Sequence, residues 1–477
     1  MKGAVGAGLS VAPWMLTRAL LLLWVFKVLL LPGPDVTSDV AVIYQGWSEV
    51  LKTGTYPLND VTWQYPPAAA LAVLSPALLP FLGYAPAFFV LALVCDAAVY
   101  GLLLHAGRRP GKTSRGAWVW VVGVPLLGPT AYARYDLMVT AVAVAAVFAS
   151  ARRPGLAGTL AAFGALLKVW PLLLLAGVRP GTATRRSWTG AVAAGVALLL
   201  LCTAAMPGAL AFLSFQRDRG TEIESLGALA LHAARYTGWE GRVQLNYGSV
   251  EFLGPYVPLV SAAALVLTAL GFCWLVVWRL RARDFTAATP ADAALTAVLL
   301  FVTTSRVISP QYLIWLVGLA AVALAFRSSR MALPGCLVLA ATGVTFLEFP
   351  VWFEHVVVGD PRGVAVLAVR NALLVAATLL ACHRLWTGTV PRATGDGRRP
   401  GRPVTRSRST PDGRHGWSCG TALLPDHRRG TAPRRQPSRS RRNPRQAAVN
   451  SSGVVPSTSC SAFPSAPARC SASPTAR

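Results

Sequence analysis

The sequence predicts an all-α polytopic membrane protein, and three observations carry that prediction. Of its 477 residues, 54% are hydrophobic and only 13% are charged. The mean hydropathy of +0.50 is high for a soluble globular chain. Continuous apolar runs recur, among them residues 190–206, 257–277 and 363–382. Such runs suit helices, because about 20 apolar residues span a hydrocarbon core of ~30 Å. A β-barrel would show short alternating segments instead.

The elements follow in order. Residues 15–31 read as a retained first span rather than a cleaved signal: the run is long, Lys27 sits near its far end and Pro32 follows. Residues 33–67 form a polar first outer loop. Residues 68–81 are short and hold Pro76 and Pro80, which predicts a half-helix that dips in and returns. A full span over 85–104 comes next. Residues 117–131 and 137–149 go out and back. Residues 155–175 contain LLKVWP, with Lys168 beside Pro171, and predict a broken hairpin. Irregular backbone at membrane depth is tolerated only where protein or a wet cavity surrounds it. Spans 190–206 and 257–277 bracket a long outer loop at 207–256, and the pairs 291–304 with 312–325 and 331–346 with 363–382 complete the set. The total is roughly 11–13 membrane helices or half-helices.

The net charge of +26 divides in two. Residues 391–477 hold 17 Arg, 3 Asp and no Lys, and so carry +14 of it. Their Arg/Pro/Ser-rich composition cannot bury a core and predicts a disordered tail. In residues 1–390 the positive charges cluster at 108–115, 152–153, 179–186, 279–283 and 327–330, which marks those loops as cytoplasmic. This distribution argues against a nucleic-acid partner and for membrane lipid. The eight cysteines form no CxxC pair, and His232, His355 and His383 show no ligand spacing, so neither a metal nor a cofactor is expected.

The polar residues that this topology leaves on the outer face need an explanation, because charges beside apolar helices usually face a cavity or one another. The first outer loop interleaves Asp35, Asp39, Glu49 and Asp60 with Tyr44, Trp47, Tyr56, Trp63 and Tyr65. YARYD (132–136) contributes Arg134 and Asp136. SFQRDRGTEIES (214–225) contributes Arg217, Arg219 and Glu224. SRVISPQY (305–312) contributes Arg306, Gln311 and Tyr312. Each set also has a plain role: Arg134 and Asp136 as a pair that caps helices, the 217–224 charges as a solvated loop face, and Lys168 as a side chain that snorkels. Asp96 and Arg370 lie inside spans and read as structural partners of unidentified groups. Together the acids and bases suggest a chemistry. A carboxylate takes a proton from a hydroxyl nucleophile, and cations hold a phosphate leaving group as its bond breaks.

Six pieces of sequence match a known pattern: SDVAVIYQGW (38–47), GTYPLNDVTWQYPP (54–67), RYDL (134–137), LLKVWPLLLL (166–175), DRGTEIES (218–225) and SPQYLIW (309–315). In this order they resemble the polyprenol-phosphate-mannose-dependent mannosyltransferases of actinobacteria, glycosyltransferase family 87 within the GT-C group. The resemblance covers about residues 12–385. It implies a GT-C fold, a polyprenyl-phosphate-sugar donor, a glycan or glycolipid acceptor and inverting transfer. The active site would lie on the extracytoplasmic face of the cell membrane. It places the catalytic aspartate in the first outer loop, where Asp39 matches best and Asp35 and Asp60 remain alternatives. Gln311 stands where relatives often carry His. The substrate-binding set is then Tyr44, Trp47, Asp60, Tyr65, Arg134, Asp136, Lys168, Arg217, Arg219, Glu224, Arg306, Gln311 and Tyr312. A transporter or flippase of lipid-linked sugars is the competing reading. It would gather polar residues near the midplane of repeated halves, whereas here they collect at one face.

Overall fold

The computed structural model describes residues 10–391; the expected tail from residue 392 onward lies outside the described residues. Nearly every element is helical. Helix α1 (Val11–Val25) ends earlier than hydropathy suggests. Lys27 adopts a left-handed φ of 58°. The Val28 N–H then reaches back to Leu23 O and the Lys27 N–H to Trp24 O, a Schellman-type stop. The first outer loop carries a π-helical turn, Asp39–Tyr44, that runs straight into α2 (Gln45–Lys52). The short α3 (Ala69–Leu74) tightens into a 3₁₀ turn at Ser75–Leu78, where Pro76 removes a donor. Then come α4 (Tyr84–Gly107), α5 (Arg115–Leu126), α6 (Asp136–Ala149) and α7 (Pro154–Leu167).

The break after α7 falls at Lys168, whose backbone is extended, and the chain resumes as a 3₁₀ segment, Trp170–Gly177. Helix α8 (Thr182–Ala205) follows. The long outer loop is folded, which hydropathy did not foresee. It holds α9 (Phe212–Asp218), α10 (Ala228–Arg235) and strands β1 (Thr221–Glu222), β2 (Arg242–Asn246) and β3 (Ser249–Leu253), in sheet order β1-β3-β2. Asn246 pairs with Ser249, so Tyr247 and Gly248 alone form the hairpin turn. Both have positive φ, 48° and 73°, the signature of a type I′ turn. The remaining helices are α11 (Val257–Arg281), α12 (Thr289–Thr304), α13 (Tyr312–Leu324), α14 (Ala332–Phe346), α15 (Phe353–Val358) and α16 (Pro361–Thr389).

Among the described residues, five helices are long and apolar enough to cross a membrane: α4, α8, α11, α16 and the stretch Ala332–Val351. The protein is therefore an all-α polytopic membrane protein. Its centre is α13, in which every residue from Leu313 to Ala323 is buried. Helices α5, α6 and α12 pack around it. By contrast, only Ser187 and Ala191 are buried along α8, whose apolar side chains face outward as lipid contact requires.

The intramembrane charges are paired. Asp96 on α4 accepts bonds from Arg18 of α1 at 2.6 and 3.1 Å, from the Tyr132 hydroxyl at 2.7 Å and from the Trp120 indole. Arg18 also donates to the carbonyls of Trp120 and Val121. A forked, charge-assisted contact of this kind offsets the desolvation of both groups and ties three helices together. Arg370 on α16 donates to the carbonyls of Ile308 and Glu224 at 3.2 and 2.9 Å.

Candidate active site

At one end of the helices lies a cavity of about 370 Å³. Four separated stretches of sequence wall it: the first outer loop, the break after α7, the folded outer loop and the segment before α13. Asp39, Tyr44, Trp47, Tyr65, Lys168, Arg219, Arg306, Gln311 and Tyr312 all line it.

Asp39 opens the π-helical turn. The chain is turned into that helix by Asp35, whose carboxylate accepts the Thr37 N–H at 2.9 Å. This is the local bonding by which Asp initiates turns. The Asp39 carboxylate meets Arg134 at 2.6 Å and is about one-third exposed, at 32%. Arg134 is nearly buried and is fixed by two further bonds, to the Val36 carbonyl at 3.0 Å and the Ala133 carbonyl at 2.8 Å. It therefore holds Asp39 from behind.

Lys168 reaches the cavity because the helix stops at Leu167. Its ammonium lies 2.6 Å from Asp136, which also accepts the Trp315 indole N–H at 2.8 Å. Four rings surround it, those of Tyr65, Tyr135, Tyr312 and Trp315, with centroids 5.1–5.4 Å away. Aromatic faces attract a cation electrostatically, by about 0.5–1 kcal/mol each at exposed sites and more when desolvated. The cage and Asp136 together fix a charge that would otherwise snorkel away.

The folded outer loop supplies the second cation. Arg219 meets Glu251 of β3 at 3.3 Å and donates to the Ser249 hydroxyl at 2.7 Å. Glu222 of β1 clamps the segment before α13: it accepts the Ile308 N–H at 2.7 Å and the Ser309 hydroxyl at 2.9 Å, and its own N–H donates to the Arg306 carbonyl. Burial pushes the Glu222 carboxyl up, against the opposing pull of Arg219 and of these hydrogen bonds. The third cation, Arg306, bonds the Gln216 carbonyl. Ser309, Gln311 and Tyr312 are presented on the same clamped segment.

The other expected site residues lie elsewhere. Arg134 and Asp136 stand directly behind Asp39 and Lys168 rather than in the cavity wall. Asp60 faces a neighbouring groove. It accepts the Trp47 indole N–H at 2.7 Å and the Thr62 N–H at 2.9 Å. Burial raises its carboxyl, but the bonds from Thr62 and Trp47 outweigh that and hold it below the usual range. Arg217 is on the exposed side of α9. Glu224 is buried 3.8 Å from Arg370, which Glu348 also approaches at 3.9 Å. Burial first, then the carboxylates of Glu348 and Glu222, push Glu224 well above its ordinary range. Asp35 pairs with Lys27 at 2.8 Å, away from the cavity.

Sequence reasoning passed over Gln64, Phe212, Gln216, Tyr247 and Phe301, which also line the cavity. Tyr247 carried a signal: NYG lies between two stretches able to alternate as strands, and such a turn predicts a hairpin. The others carried none, because apolar and amide side chains in a loop acquire meaning only from what folds against them.

This arrangement sets one carboxylate against three cations, with aromatic rings between them, at the boundary of a membrane domain. It suits transfer of a group that departs as an anion. No curated protein matches the chain at a significant level. The sequence profile of glycosyltransferase family 87 matches residues 63–310, just over half of the chain. The match runs from Trp63 through Lys168, Arg219, Arg306 and Ser309, and so takes in most of the cavity wall. The protein therefore belongs to glycosyltransferase family 87, the membrane glycosyltransferases.

Proposed function

We propose that the protein transfers mannose from a polyprenyl-phosphate donor to a glycan or glycolipid acceptor, with inversion, on the extracytoplasmic face of the membrane. One observation carries this reading: Asp39 and the cations Lys168, Arg219 and Arg306 line a single cavity. In an inverting displacement the acceptor oxygen bonds to the anomeric carbon as the bond from that carbon to the phosphate oxygen breaks. The electron pair leaves with the phosphate, and the acceptor proton passes to a base. Asp39 is the base, held in place by Arg134. The three cations receive the phosphate, whose charge grows as the bond breaks, and pre-oriented charges in a site shielded from water are effective at this. Tyr65, Trp47 and Tyr312 offer faces to the sugar ring. The ordered motifs and a site at the ends of membrane helices support a GT-C architecture and a lipid-linked donor.

The test is transfer from radiolabelled polyprenyl-phosphate-mannose in membranes that contain the parent protein or Asp39→Asn. Label should reach a glycan or glycolipid with the parent and not with the variant. Labelling by a nucleotide-sugar with the lipid-linked donor inert would overturn the donor assignment.

A further inference from the structure

A second depression lies against the cavity, an open groove of about 700 Å³ between the first outer-loop helix and the turn at residues 55–62. Ile43, Trp47 and Thr62 belong to the walls of both, so the two spaces share one rim. Asp39 sits one helical turn before Ile43, on the cavity side of that rim.

The linings differ in chemistry. The cavity holds three cations, whereas the groove holds none. Its polar groups are Thr55, Asn59, Asp60 and Thr62, and its apolar wall is made by Val42, Ile43, Val50 and Leu58. The Asp60 carboxylate disfavours a phosphate here, and the amide and hydroxyls beside aliphatic surface match the hydroxyls and C–H faces of an uncharged sugar. Trp47 is fixed on the rim by its bond to Asp60, so an aromatic edge stands between the two spaces. At the middle of the helical wall is Gly46, where an added Cβ would meet nothing within 4 Å. A side chain introduced at Gly46 therefore starts from open space beside the groove.

We infer that this groove is the acceptor site and that it takes the uncharged saccharide end of the acceptor, with the reactive hydroxyl crossing the rim at Ile43 and Thr62 to reach Asp39. The inference rests on the proposed transfer reaction for its role, but the binding of an uncharged sugar is testable without that reaction.

Gly46→Leu adds an apolar side chain at the groove wall from a position whose Cβ meets nothing within 4 Å, and leucine favours the helix more than glycine does. With octyl mannoside as acceptor and polyprenyl-phosphate-mannose as donor, its acceptor KM should rise about tenfold or more, while the donor KM stays within about twofold. Asn59→Ala, at an exposed position, should raise the acceptor KM in the same direction. In parallel, octyl mannoside should quench tryptophan fluorescence of the detergent-solubilised parent, and octyl phosphate should not compete. Gly46→Leu should abolish that quenching. A parent-like acceptor KM in Gly46→Leu, a donor KM that rises equally, or competition by octyl phosphate would each overturn the assignment. Quenching that the variant abolishes, in a protein that transfers nothing from the lipid donor, would keep the sugar site and refute the donor reading instead.

Discussion

Asp39→Asn isolates the base from the fold. The substitution keeps the size of the side chain and a carbonyl oxygen to face Arg134, and it removes the charge. Breaking a fully buried ion pair by losing one partner costs about 3–5 kcal/mol. Here the cost is smaller, because Asp39 is 32% exposed and Arg134 keeps its bonds to Val36 and Ala133 at 3.0 and 2.8 Å. About 1–2 kcal/mol of destabilisation is expected, between the values for surface and buried pairs. The effect on turnover should be far larger, because a positioned general base contributes ~10²–10⁴-fold. The variant should therefore insert and elute like the parent, keep its affinity for the lipid donor and lose at least two orders of magnitude in kcat. The assay is single-turnover transfer from radiolabelled donor at saturating acceptor, beside a thermal-shift titration with the donor. Turnover within a few-fold of the parent would refute the base assignment.

Other consequences are separable. Lys168→Met and Arg306→Ala should each raise the donor KM by roughly 10-fold or more and leave the acceptor KM nearly unchanged, because each removes a cation from the phosphate side; equal effects on both substrates would count against the phosphate site. Glu222→Ala should leave the Ile308 N–H and the Ser309 hydroxyl without their acceptor, at a cost of about 2–4 kcal/mol, seen as faster hydrogen exchange over residues 305–312. Burial holds His232 down to about 4 from an ordinary value of 6.5. The unfolded state then binds more protons between those values, so stability should fall as pH drops from 6.5 toward 4, and His232→Leu should flatten that slope in thermal melts. Arg108→Cys should react with an impermeant maleimide only after the cells are opened.

Sequence alone determined the class of this protein and showed which stretches gather its polar residues. Hydropathy is a local property, so most spans from α4 to α16 were legible within a few residues, although α8 (Thr182–Ala205) starts well before its apolar run and α16 (Pro361–Thr389) continues well past its own; Pro171 beside Lys168 marked a break that requires no long-range information. The charged residues at helix ends were visible for the same reason: each is costly beside lipid and invites a partner. The identity of the partners was not local. Asp39 with Arg134, Lys168 with Asp136 and Trp315, and Asp96 with Arg18 join residues far apart in the chain, and nothing in a window of sequence ranks one candidate partner over another. Glu224 shows the consequence. In the sequence it is one more acid in a charged loop, like Glu222, but folding buries it against Arg370 and leaves it outside the cavity. Only tertiary structure set the cations and Asp39 around one space, folded residues 207–256 into a sheet that fixes Arg219, and opened a cation-free groove across the rim. Those outcomes depend on which helices pack side by side, and packing is decided by the whole chain at once.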